Sequence, residues 1–290
     1  MTTTQIYAST DIASTTPVCA IDGTLYCNTL VAKGNRRMPA IAAVVDGKLD
    51  IVETSIKGNL SLVGKVGDNL LCGLAAPGKP QIAIVIDREG NELARLTKGS
   101  QSVFASWASD AEILAMLMGR DQSKAWAIYN ADGAIQQTLS QQYVGRAAGS
   151  LVPAEIQIDC AEGYSMPLAR FVVGDFVLGA MFANEKRTTA NTCSWIMDYR
   201  DGSLEYLIPD GFADCDRFSA NRTTADGEWV FGLGFRETHQ LGLAWSRLEG
   251  WSTIEDLLGS NLDFGSLVID GDMIYGRAGD GLYKIEGWRS

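Results

Sequence analysis

A chain of 290 residues, 46% hydrophobic and 9% aromatic, can bury a substantial core, and at this length all-β folds still form one unit. The 24 basic and 35 acidic residues give a formal net charge of −11, which excludes a general nucleic-acid binder, since such affinity comes from neutralising phosphates with a basic surface. No apolar stretch reaches the ~18 residues of a membrane span, and Met1-Thr2-Thr3-Thr4 lacks the basic start and apolar centre of an export signal, so cytoplasmic synthesis is expected.

The predicted elements come in fours, two hairpins to a unit. A strand-like segment at 4–9 precedes a first unit over about 18–55, with turns at Asp22-Gly23 and Asp46-Gly47. The second unit (60–96) turns at Gly67-Asp68 and Glu89-Gly90, and the third (102–140) at Ser109-Asp110 and Asp132-Gly133. The fourth (168–208) turns at Gly174-Asp175 and Asp201-Gly202, the fifth (218–257) at Asp226-Gly227 and Glu249-Gly250, and the sixth (266–290) at Asp270-Gly271 and Glu286-Gly287. Gly47, Gly90 and Gly133 are spaced by 43 residues; the gap of 69 from Gly133 to Gly202 holds an insertion, 141–167, expected as a loop.

Strands follow from what flanks these turns. Runs of apolar, β-branched and aromatic residues between Gly/Asp punctuation suit extended chain, and tight hairpins need the positive φ that glycine supplies. In the third unit the strands are 103–107, 112–118, 124–129 and 134–140. A glycine recurs inside the second strand of several units, at Gly73, Gly179, Gly232 and Gly276, where a side chain would crowd a neighbouring backbone.

Six such four-strand units resemble a six-bladed β-propeller, an all-β ring of antiparallel blades. The resemblance covers the whole of 1–290 as a single domain, with the 4–9 strand closing the last blade, because only Trp288-Arg289-Ser290 follow Gly287. It extends to no named family. There is no Trp-Asp repeat of the WD40 type, no paired glycine of the Kelch type and no Tyr-Trp-Thr-Asp repeat. Thr224-Ala225-Asp226-Gly227-Glu228-Trp229 is similar to the Asp-box of sialidases, but its glycine follows the aspartate directly and it does not recur, so it reads as a turn.

The resemblance implies that the b-to-c and d-to-a connections share one face. Sorted that way, Arg36, Arg37, Lys79, Arg120, Lys186, Arg187, Arg236, His239 and Arg277 fall in or beside b-to-c connections, and Asp turns dominate the opposite face. Such a set of cations suits capture of an anionic ligand, a glycan or an acidic protein partner, because guanidinium pairs carboxylate or phosphate in a bidentate way. The expected function is a binding or assembly platform without chemistry and with no cofactor; blades without family motifs, the 141–167 insertion and the lack of an export signal suit a structural or receptor-recognition component of a larger particle, a phage virion being one example. The alternative is a propeller hydrolase or lactonase-like enzyme using d-to-a carboxylates, with Asp210, Asp214, Asp216 and Asp263 as calcium ligands or an acid/base pair. A single histidine and the lack of a Gly-x-Ser-x-Gly elbow weigh against it. Among the tryptophans only Trp107, on a first strand, is a candidate for ligand stacking; the others recur at structural positions. Six cysteines without C-x-x-C spacing are expected as free core thiols, with a Cys19–Cys27 cross-strand disulfide as the open alternative.

Overall fold

Turn chemistry sets the architecture. At Asp22-Gly23 both residues have positive φ, 48° and 76°, and at Asp46-Gly47 again, 49° and 76°, the pairing that a two-residue type I′ turn needs and that matches strand twist. The computed structural model, which describes residues 1–9, 11–183, 192–259 and 262–289, arranges such hairpins in pairs, four antiparallel strands to a blade.

Strand β1 (Thr2–Ala8) precedes the first blade, made of β2 (Thr16–Ile21), β3 (Thr24–Lys33), β4 (Arg36–Val45) and β5 (Lys48–Ile51). The second blade is β6 (Asn59–Val66), β7 (Asn69–Ala75), β8 (Ile82–Ile86) and β9 (Glu92–Leu96); the third is β10 (Ser102–Ala108), β11 (Glu112–Met118), β12 (Lys124–Asn130) and β13 (Ile135–Leu139). A small hairpin follows, β14 (Tyr143–Ala147) and β15 (Ser150–Pro153). The fourth blade is β16 (Tyr164–Val173), β17 (Phe176–Ala183), β18 (Thr192–Asp198) and β19 (Leu204–Leu207), and the fifth is β20 (Arg217–Thr223), β21 (Trp229–Arg236), β22 (His239–Ser246) and β23 (Gly250–Thr253), extended by the short helix α1 (Ile254–Leu258). The sixth contains β24 (Asp263–Asp270), β25 (Met273–Ala278) and β26 (Gly281–Glu286) in the order β1-β26-β25-β24, so the N-terminal strand closes the last blade. The fold is a six-bladed β-propeller.

The insertion departs from the loop expected of it. It carries β14 and β15, and beyond them Ala169 N–H donates to Ala154 O at 2.8 Å while Glu155 bridges Leu168. The physical reason is the unpaired edge of β16, whose backbone groups need partners that a solvated loop would not supply. β16 itself begins at Tyr164, because Tyr164 and Ser165 pair with Ala183 and Phe182 ahead of a bulge.

The chain divides into two compact units, one of Thr4–Gln142 with Tyr275–Lys284, the other of Met1–Thr3, Tyr143–Ile274 and Ile285–Ser290. In the first, apolar layers fill the spaces between neighbouring blades: Ile21, Tyr26, Leu62 and Leu70 between blades one and two, Val85, Leu96, Ile113 and Tyr129 between two and three. In the second, Leu178, Ile196, Phe218 and Val230 do the same for blades four and five, with Trp251 edge-on to Phe218 at 4.9 Å.

First strands share one irregularity. β2, β6, β10, β16 and β20 each carry a bulge, between Pro17/Cys19, Leu62/Gly64, Ala105/Trp107, Ala169/Phe171 and Ala220/Arg222. A bulge leaves one residue out of the ladder and bends the strand. Side chains of the preceding blade reach the backbone beside it: Asn28 Nδ2 donates to Leu62 O at 2.9 Å and its Oδ1 accepts from Leu62 N–H at 2.7 Å. Buried Ser194 Oγ accepts from Ala220 N–H at 2.7 Å at the corresponding place of blade five.

Several sequence readings find their physical reason here. Gly179 lies opposite Trp195, and a Cβ there would collide with the fully buried indole and the Leu168 carbonyl. Thr224–Trp229 is a turn: Trp229 N–H donates to Thr224 Oγ1 at 3.1 Å and Glu228 N–H to Asp226 Oδ1 at 3.1 Å. All six cysteines are free and five are buried; burial pushes the Cys27 and Cys72 thiols up to about 12, which leaves them inert. Among the described residues no helix is long and apolar enough to cross a membrane.

Candidate functional site

The cations expected to act together separate into tied and free ones. In the first unit Arg37 pairs with Asp11 at 2.9 Å, and Arg277 Nη1 donates to Ala13 O at 3.2 Å. Both therefore clamp the 3₁₀ turn Ile12–Ser14 that leads into β2. Arg36, beside them at the tip of the β3–β4 hairpin, is exposed and has no side-chain partner among the described residues.

Lys79 and Arg120 are brought together. They line one cavity of about 360 Å³ with Ser100, Ser102, Met118 and Gln122. Local turns fix the walls. Lys79 ends a turn in which its N–H donates to Ala76 O at 3.1 Å, and Arg120 lies in a loop closed by Gly119 N–H to Ser123 O at 2.9 Å. A cross-blade bond from Val103 N–H to Gln81 O, 2.8 Å, holds the start of β10 against blade two.

Neither ammonium nor guanidinium there has an ion-pair or hydrogen-bond partner among the described residues. The acid adjacent in sequence, Asp121, is engaged by its own loop: its Oδ1 accepts from Ser123 Oγ at 2.6 Å and Ser123 N–H at 3.1 Å, and these bonds hold its carboxyl below the usual range. A concavity with two unpaired cations and two hydroxyls offers charge-assisted donors to an oxyanion, and its shape concentrates the field.

In the second unit the pattern is one of pairing. Arg236 lies 3.5 Å from Asp214 and 4.0 Å from Asp216, and His239 faces Arg236 across β21 and β22 on an exposed rim. Lys186 and Arg187 lie outside the described residues. The proposed calcium ligands do not gather: Asp214 and Asp216 flank Arg236, Asp263 Oδ1 accepts from Gly265 N–H at 3.0 Å, Asp210 stands at a turn with φ 51°, and no three His, Cys, Asp or Glu side chains converge among the described residues.

Two further cations escaped the sequence reading. Arg170 in β16 and Arg222 in β20 sit on first strands, and burial lowers the pKa of both. Arg222 Nε donates to Leu267 O at 3.1 Å and Nη1 to Asn221 O at 2.8 Å, whereas Arg170, the bulged residue of its strand, has no partner among the described residues. For Arg170 the sequence carries a signal, an arginine inside the mainly apolar run 166–173; Arg222 lies in a polar run that carries none. Trp107, also on a first strand, is half-buried beside a bulge with no aromatic partner among the described residues.

The fold defines a β-propeller, and comparison with known structures agrees. An oligogalacturonate lyase in complex with manganese is similar over 91% of this chain and 85% of its own, with TM-score 0.55 and 11% identity. The oligogalacturonate lyase of Vibrio parahaemolyticus is similar over 98% and 93%, with TM-score 0.55 and 9% identity. The β-propeller domain of the Trilobed protease from Pyrococcus furiosus has TM-score 0.45 and 13% identity over 97% and 83%. At such identities the likeness is one of fold. No protein-family model and no curated protein sequence matches the chain.

Proposed function

We propose that the protein is a binding platform without chemistry of its own, which captures an anionic ligand or the acidic surface of a protein partner through the Lys79/Arg120 cavity. The observation that carries this reading is the convergence of two cations, neither of them neutralised, on one concave polar site, while Arg37, Arg236 and Arg277 are occupied with structural contacts. Bidentate recognition by Arg120 with point-charge support from Lys79 suits a carboxylate or phosphate group, and the seryl hydroxyls supply further donors.

Calorimetric titration tests it. Inorganic phosphate, citrate and a short oligogalacturonate serve as anionic probes, the last a polycarboxylate named in the lyases of similar fold, with maltose as the neutral control. The expected outcome is binding of the anions that weakens as salt rises, no binding of maltose, and at least a ~10-fold loss in Lys79→Ser/Arg120→Ser. Equal affinity of wild type and double variant refutes the reading.

A further inference from the structure

Three connections from two neighbouring blades enclose the Lys79/Arg120 cavity: 76–81 between β7 and β8, 97–101 between β9 and β10, and 119–123 between β11 and β12. Each places donors on the wall. Lys79 comes from the first, Ser100 from the second with Ser102 beside it at the start of β10, and Arg120 and Gln122 from the third. None of these five side chains has a hydrogen-bond or ion-pair partner among the described residues. Gln122 holds a left-handed backbone, φ 67°, uncommon for a residue other than glycine, and its N–H donates to Gly119 O at 3.1 Å, so the loop keeps a strained residue at the cavity wall.

No acid lines the cavity. The three connections carry Lys79, Lys98 and Arg120 against Asp121 alone, and Lys124 follows at the start of β12. Asp121 is folded back on its own loop: a Cβ at Gly119 would lie 2.5 Å from Asp121 Oδ1 and 2.5 Å from Ser123 Oγ, the hydroxyl that donates to this carboxylate. In a chain with a formal net charge of −11, the wall therefore presents donors from three sides and no carboxylate.

We infer that the group captured there is the dianionic head of a phosphate monoester, an inference that rests on the reading of this cavity as an anion site. Three terminal oxygens and a charge of about −1.5 to −2 at pH 7 match three donor walls and two cations, whereas a carboxylate brings two oxygens and one charge. A sulfate ester brings the three oxygens but a single charge. The absence of an acidic acceptor from the wall also disfavours a phosphate that keeps its second proton. At about 360 Å³ the cavity has the volume of roughly a dozen waters at ~30 Å³ each, more than a bare phosphate fills, and Met118 gives the ester carbon an apolar wall.

Calorimetric titration at fixed ionic strength with phenyl phosphate, phenyl sulfate and benzoate tests the assignment. At pH 8 phenyl phosphate should bind at least ~10-fold more tightly than either of the others. Its affinity should fall about 10-fold from pH 8 to pH 5, because the second proton, lost near pH 6, returns, while that of phenyl sulfate stays constant. Ser100→Ala/Ser102→Ala should weaken phenyl phosphate about 10-fold at an unchanged melting temperature, and benzoate by less. Phenyl phosphate that binds no more tightly than benzoate, or with an affinity flat from pH 5 to pH 8, overturns the phosphate assignment; if Lys79→Ser/Arg120→Ser still abolishes anion binding, the anion site itself stands. Failure of the wild-type protein to bind these three anions, inorganic phosphate or citrate overturns both.

Discussion

Replacing Gly179 by alanine tests how the blades are packed. The glycine in β17 lies opposite Trp195 in β18, whose indole is fully buried, and an added Cβ would meet both that ring and the Leu168 carbonyl. Neither neighbour has room to retreat, so the cost belongs at the upper end of the overpacking range, about 3 kcal/mol. With an unfolding entropy of about 2 cal/mol/K per residue, a chain of this length loses roughly 5 °C of melting temperature. Gly73 supplies the control, since it occupies the matching place in β7 but its Cβ would meet the movable end of Gln81 at 3.2 Å, with Ser61 O at 3.9 Å and Val63 Cγ2 at 4.0 Å in ordinary contact. Relief of glycine's conformational entropy, about 0.5–1 kcal/mol, then leaves Gly73→Ala neutral or slightly stabilised. Differential scanning calorimetry of the two variants reads the contrast directly. A Gly179→Ala melt within a degree of wild type refutes the close approach of Trp195, and equal losses at both positions refute the distinction between a rigid and a yielding neighbour.

Asn28→Ala orphans both backbone groups of Leu62 beside the β6 bulge and should cost about 2 kcal/mol, read as a shift in denaturation midpoint; Asn28→Asp, which keeps the acceptor alone, should recover part of it. The Arg200 guanidinium beside Asp198 lowers that carboxyl to about 2, so its contribution is present above the ordinary carboxylate range near pH 4 and is lost as pH falls toward 2. The melting difference between wild type and Asp198→Asn should accordingly narrow over that window, and a constant difference from pH 7 to 2 counts against the pairing. Deleting residues 1–9 strips β1 from β26 and exposes a strand edge; size-exclusion chromatography should show association that the full chain lacks.

What was legible in the sequence was local. Asp22-Gly23 and Asp46-Gly47 adopt the positive φ that their residue types favour, and apolar runs of the right length between such turns form strands whatever lies across from them. From that the four-stranded unit, its sixfold recurrence and closure by the N-terminal strand all followed, while Lys79 and Arg120 were two of nine loop candidates that the sequence did not rank. Beyond the turns, contacts across blades governed the outcome. Nothing near Arg37 in sequence announces Asp11, 26 residues away, and nothing near Arg236 distinguishes it from Arg120, yet the first two meet carboxylates and the third does not. The insertion read as a loop because its Pro and Gly residues are turn formers, whereas the free edge of β16 gave Ala154 and Glu155 a backbone to pair with. A turn depends on residues adjacent in the chain and can be read from them; whether a charge is neutralised, an edge covered or a glycine crowded depends on distances across blades, which only the folded chain decides.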